Sequence, residues 1–107
     1  MDRPSLTVVA LYVLALAVDV RIPDAHSLKE KRSVVRSILD GARRRFGAST
    51  AETGDHDIHQ RSELGFAVAA PSVGHATEVV DNIERFVWSF PEIEVVASER
   101  HWMEVER

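Results

Sequence analysis

The chain has 107 residues, which is room for one domain and no second. It contains no cysteine, so a disulfide scaffold, a thiolate nucleophile and a cysteine-based zinc site are excluded. Its charged content of 28% and hydrophobic content of 45% exclude wholesale disorder.

The net charge of -4 conceals an asymmetry. Residues 1–50 hold nine Lys/Arg against five Asp/Glu, whereas residues 51–107 hold four against twelve. The first half is therefore basic inside an acidic protein, and screening over about 8–10 Å lets such a patch act locally.

Residues 1–11 are expected to be a loose N-terminal extension. "LTVVALYVLALAV", Leu6 to Val18, imitates a secretory signal, but Asp2 weakens the basic flank and the stretch is too short to span a bilayer. Its latter part reads better as the start of a strand over Tyr12–Ile22. There Leu14, Leu16, Val18, Val20 and Ile22 share one face. Pro23-Asp24 ends it.

A helix follows. Ser27 and Glu30 have the spacing of a capping box, in which each side chain takes the other's backbone N–H. Leu28, Val35, Ile38, Leu39, Ala42 and Phe46 form the apolar stripe. Gly47 is the expected C-cap, and Arg43, Arg44 and Arg45 sit where the helix dipole favours cations. Residues 27–46 carry seven basic residues against two acidic ones.

Ala48–Glu52 is a short polar strand that suits a sheet edge, and "GDHDIHQR", Gly54 to Arg61, is a loop. Glu63–Ala70 is a second apolar strand with Leu64, Phe66, Val68 and Ala70 on one face. Pro71-Ser72 opens a second helix, which buries Val73, Ala76, Val80, Ile83, Val87 and Phe90 and ends at Pro91. Glu92–Ser98 is the last strand, and residues 99–107 are expected to be a polar tail.

The order strand, helix, strand, strand, helix, strand is that of an α+β, ferredoxin-like βαββαβ sandwich. It predicts a four-stranded antiparallel sheet of order 4-1-3-2 with both helices on one face. The other face would present Val13, Ala15, Ala17, Asp19, Glu63, Gly65, Ala67 and Ala69. None is aromatic, so there is no platform for stacking RNA bases. A small-residue face instead suits a partner, a second copy of the chain being the candidate.

On a helical wheel of 100° per residue, Lys29, Arg32, Arg36 and Arg43 fall within an arc of about 60° that flanks the apolar stripe. Asp40 interrupts the row and is placed to pair with Arg36 or Arg43. Such a row resembles the phosphate-tracking faces of nucleic-acid binders, and it reads no sequence. With Lys31 and Arg44 added, these residues are the candidate RNA-binding set. The alternative is an ordinary solvated face.

Candidate chemistry elsewhere is thin. His56 and His59 with Asp55 and Asp57 lie in a loop without fixed ligand geometry, so no metal site is expected. Ser62 near His59 has nothing to organise an oxyanion hole. No phosphate loop or dinucleotide fingerprint is present, so no cofactor or small-molecule substrate is expected. Asp57, Gln60 and Arg61 form a polar block that either docks on a partner or serves the fold, with Arg61 pairing to Glu52 or Glu63 across strands. Trp88 lies off the buried stripe of the second helix, which suits an interface or packing beneath the tail.

"IPDAHSLKEKRSVVRSILDGARRRFGASTAETG", "DIHQRSELGFAVAA" and "ERFVWSFPEIEV" together resemble the YlxP-like family of small bacterial proteins of unknown function. The resemblance covers about Tyr12 to Val96 and implies the same ferredoxin-like fold. Members are often encoded beside translation-initiation and ribosome-maturation factors, which implies a cytoplasmic, ribosome-linked RNA role without catalysis. Three departures stand out. About ten N-terminal residues are additional, as an upstream start codon would give. Asp55 and His59 stand where the family's loop tends to have His and Trp. Trp88 stands where a polar residue is usual.

Overall fold

A computed structural model describes residues 10–103. Most of the expected N-terminal extension, residues 1–9, and the last four residues of the expected tail lie outside the described residues. The elements run β1 (Tyr12–Arg21), α1 (Leu28–Phe46), β2 (Ser49–Gly54), β3 (Arg61–Ala70), α2 (Val73–Trp88) and β4 (Glu94–Met103). The four strands form one antiparallel sheet in the order β2-β3-β1-β4, the predicted ladder read from its other edge.

The apolar alternation of the two central strands places their cores. Leu14, Leu16, Val18 and Val20 of β1 and Leu64, Phe66, Val68 and Ala70 of β3 are all buried. Their side chains meet Val35, Ile38, Leu39 and Ala42 of α1 and Ala76, Val80, Ile83 and Val87 of α2. Both helices therefore cover the same face. Val73, expected in the α2 stripe, is half exposed, because it stands in the first turn after Ser72, the N-cap.

Local chemistry fixes the ends of α1. Ser27 Oγ accepts the Glu30 N–H at 3.1 Å. Glu30 Oε2 accepts at 2.7 Å from His26, one residue earlier than the capping box requires. At the other end Gly47 has φ 66°, the left-handed conformation that glycine adopts without a steric penalty. The helices touch closely at Gly41, where an added Cβ would lie 2.6 Å from Phe86 Cζ. Phe86 in turn packs edge-on against Phe46 and Phe90, and Arg45 stacks on the Phe46 and Phe86 rings.

The last strand corrects the sequence reading. Residues Glu99–Met103 continue β4 rather than forming a polar tail, and pair with β1 as far as Val13↔Met103. A β-bulge interrupts the register between Asp19 and Val20. The strand lacks clean alternation because it is an edge. Its one inward charge, Arg100, is held on the helix side by Asp81 at 2.8 Å and Glu84 at 3.1 Å. Partial burial opposes the Arg100 charge, but the hydrogen bonds and charges of Asp81 and Glu84 prevail and raise its pKa.

Candidate nucleic-acid interface

The outward face of α1 forms one shallow groove lined by Lys29, Arg32, Ser33, Arg36, Ser37, Asp40 and Arg44. Lys29, Arg32, Arg36 and Arg44 are exposed. Among the described residues, none of these four forms an ion pair or a side-chain hydrogen bond within the chain. Their charge is available to a ligand. Ser37 Oγ donates to the Ser33 carbonyl at 3.1 Å, the usual back-bond of a helical serine.

The groove differs from the predicted row at two positions. Arg43 is engaged elsewhere: it donates to Asp40 Oδ1 at 2.9 Å and to Thr50 Oγ1 of β2 at 2.8 Å. Asp40 thus pins Arg43 rather than Arg36. Arg44 takes the vacated place, one residue on and around the helix, and shares the groove with the other three cations.

Lys31 leaves the RNA-binding set altogether. Its side chain is 0% exposed. The ammonium lies 2.9 Å from Glu52 Oε2 and donates to the carbonyls of Ile58 at 2.7 Å, Arg61 at 3.0 Å, His56 at 3.3 Å and Asp55. Ser62 Oγ donates to the same Glu52 oxygen at 2.6 Å. A buried charge persists when it is paired and fully hydrogen-bonded, and Lys31 meets both conditions. Its role is to gather the loop between β2 and β3 onto α1. The helical wheel already carried this signal, since Lys31 falls inside the apolar arc and not beside Lys29.

The clamp explains the polar block around it. Gln60 Nε2 donates to the Pro23 and Ala25 carbonyls at 3.2 and 3.3 Å, tying the loop to the connection between β1 and α1. Arg61 does not pair with Glu52 or Glu63. Lys31 and Ser62 occupy Glu52, Thr53 Oγ1 donates to Glu63 Oε1 at 2.6 Å, and Arg61 stands opposite Arg21. Asp57 is exposed at the loop tip. Asp55 has φ 60°, so the loop turns through the left-handed region at a non-glycine residue. His56 Nε2 bonds the Glu52 carbonyl at 2.9 Å, and His59 is exposed. Among the described residues no three His, Asp or Glu side chains are grouped to hold a metal ion.

Trp88 is 62% exposed, which rules out packing beneath the β4 end. It lines a separate cleft on α2 with Asp81, Glu84, Arg85 and Ser89. The open sheet face carries a shallow trough among Ala15, Ala17, Ala51, Gly65 and Ala67. Gly65 admits Thr53 there, because a Cβ at residue 65 would sit 2.7 Å from Thr53 Cγ2.

A family model described as a protein of unknown function, DUF503, matches residues 13–100. The chain belongs to the DUF503 family. An uncharacterized protein YlxP of Bacillus subtilis strain 168 is similar to it, 37% identical over 81 residues that cover 76% of this chain and 88% of that protein. The DUF503 match contains all of α1, the clamped loop and most of β4, so groove and clamp both lie on family sequence. Among the described residues no helix is long and apolar enough to cross a membrane.

Proposed function

We propose that this DUF503 protein is a non-enzymatic, cytoplasmic RNA-associated factor that holds an RNA backbone through α1. One observation carries the reading. Lys29, Arg32, Arg36 and Arg44 line a single groove and, among the described residues, have no acidic partner of their own, in a chain of net charge -4. The acidic residue in the groove, Asp40, is paired with Arg43. Four unengaged cations along one groove are suited to phosphates spaced along a polymer. The YlxP-like resemblance supplies the ribosomal setting, in maturation or translation. We also read the βαββαβ order, with both helices on one face of the sheet, as a ferredoxin-like sandwich.

Co-sedimentation with ribosomal subunits and purified ribosomal RNA, at low and at raised salt, tests the proposal. Retention at low salt that is lost at raised salt is expected. No retention on either at low salt would end it. The rival is a homodimeric interaction module, and the small-residue trough of the open sheet face favours it. A monomer in sedimentation equilibrium at high micromolar concentration removes that rival and leaves the RNA reading intact.

A further inference from the structure

The groove on α1 also carries information about which nucleic acid it fits. We propose that it takes double-helical RNA, in preference to single-stranded RNA or duplex DNA, with α1 lying across the minor groove. This deepens the reading above and rests on it.

The first argument concerns strandedness. Proteins that hold single strands stack unpaired bases on aromatic rings. No aromatic side chain lines this groove. Phe46, Phe86 and Phe90 are packed on one another, and Trp88 belongs to a different cleft. A single strand would lose its freedom on binding and gain no stacking. A duplex offers its phosphates already in a fixed array.

The second argument concerns the sugar. Asp40 lies in the groove among the cations, with Oδ1 taken by Arg43 and, among the described residues, no partner on Oδ2. A phosphate is repelled at that point. A 2′-hydroxyl is not, because it can donate a hydrogen bond to the free carboxylate oxygen. Ser37, one turn before Asp40, adds a hydroxyl oxygen that can accept a hydrogen bond from a further 2′-hydroxyl. DNA has no such donor.

The third argument is the arrangement along the axis. Lys29, Arg32 and Arg36 form one cationic cluster, and Arg44 stands alone about 12 Å further along, at a rise of about 1.5 Å per residue. Between them come the polar positions, Ser37 and Asp40. The A-form minor groove is wide and shallow, with phosphates on either side of a strip of 2′-hydroxyls. The helix reproduces that order: cation, polar, cation. Lys29, Arg32 and Arg36 then meet one strand's phosphates, Arg44 meets the other's, and Asp40 meets the sugars between.

The test is competition binding of the intact chain to three probes. These are an RNA duplex of about 16 base pairs, the same sequence as duplex DNA, and a non-pairing RNA strand of equal length. The RNA duplex should bind about tenfold more tightly than either alternative, as one charged hydrogen bond and its repulsive counterpart would give. Asp40→Ala should bring RNA and DNA duplexes to within about twofold, chiefly by tightening DNA. Ser37→Ala should weaken the RNA duplex alone. Equal binding of all three probes, or tighter binding of the single strand, overturns this inference and leaves α1 as a general backbone site. Asp40→Ala tightening both duplexes alike also overturns it. Binding to none of the probes overturns the RNA reading itself.

Discussion

Replacing Lys31 by methionine preserves most of the side chain's length and removes its charge and its donors. Glu52 would then keep a carboxylate only 16% exposed, with Ser62 Oγ as its remaining side-chain donor. The carbonyls of Asp55, His56, Ile58 and Arg61 would lose the ammonium that they share. Breaking a buried ion pair from one side costs about 3–5 kcal/mol. The lower end applies here, because Glu52 is partly solvated and the loop carbonyls lie near water. The expected loss is about 3 kcal/mol, a large part of the roughly 5–15 kcal/mol that holds a domain of this size. The melting temperature should fall by roughly 12–20 °C.

Urea unfolding followed by circular dichroism measures the loss. Hydrogen exchange locates it, since loop amides around residues 55–60 should lose protection before those of β1 and β3. Glu52→Gln in the Lys31→Met background should restore part of the stability, with a coupling of at least about 1.5 kcal/mol. A Lys31→Met loss under about 1 kcal/mol, or equal effects with and without Glu52, would refute the clamp.

Gly41→Ala should destabilise the protein by about 1–3 kcal/mol in thermal unfolding despite the better helix propensity, because the new methyl meets the Phe86 ring. A neutral or stabilising result would mean that α2 shifts freely away from α1. Ser27→Ala should cost about 1 kcal/mol by removing the α1 cap, and should leave the salt dependence of RNA binding unaltered. Arg43→Gln should lower stability by no more than about 1 kcal/mol and should not change RNA affinity, since Arg43 is tied to Asp40 and Thr50. A marked loss of RNA affinity in Arg43→Gln would return that residue to the binding row.

Local signals carried much of the fold. The alternation of Leu14, Leu16, Val18 and Val20, the Ser27 cap and the Gly47 stop each encode geometry within a few residues, and each appears where expected. The end of β4 was hidden because an edge strand exposes both faces and shows no period. Arg100 further disguised it, since its partners Asp81 and Glu84 lie far away in sequence. The site divides in the same manner. Lys29, Arg32 and Arg36 were legible from helical spacing alone. Exchange of Arg43 for Arg44 depends on Thr50, which only the packing of β2 beside α1 brings within reach. The charge of Lys31 suggests a surface residue, whereas its position on the wheel lies in the apolar arc, and its side chain is buried.

The salt dependence of RNA affinity is the most direct test of the cationic groove. If Lys29, Arg32, Arg36 and Arg44 each neutralise a phosphate, the slope of log affinity against log salt should be roughly -3. Arg32→Gln with Arg36→Gln should flatten it by roughly 1.5–2, weaken binding to every RNA sequence alike, and leave folding within about 0.5 kcal/mol. Arg44→Gln should flatten it by a further step of roughly 0.7–0.9. If the Arg32/Arg36 double variant binds ribosomal RNA as tightly as the parent, with the same slope, the basic row of α1 is a solvated face and the account is wrong.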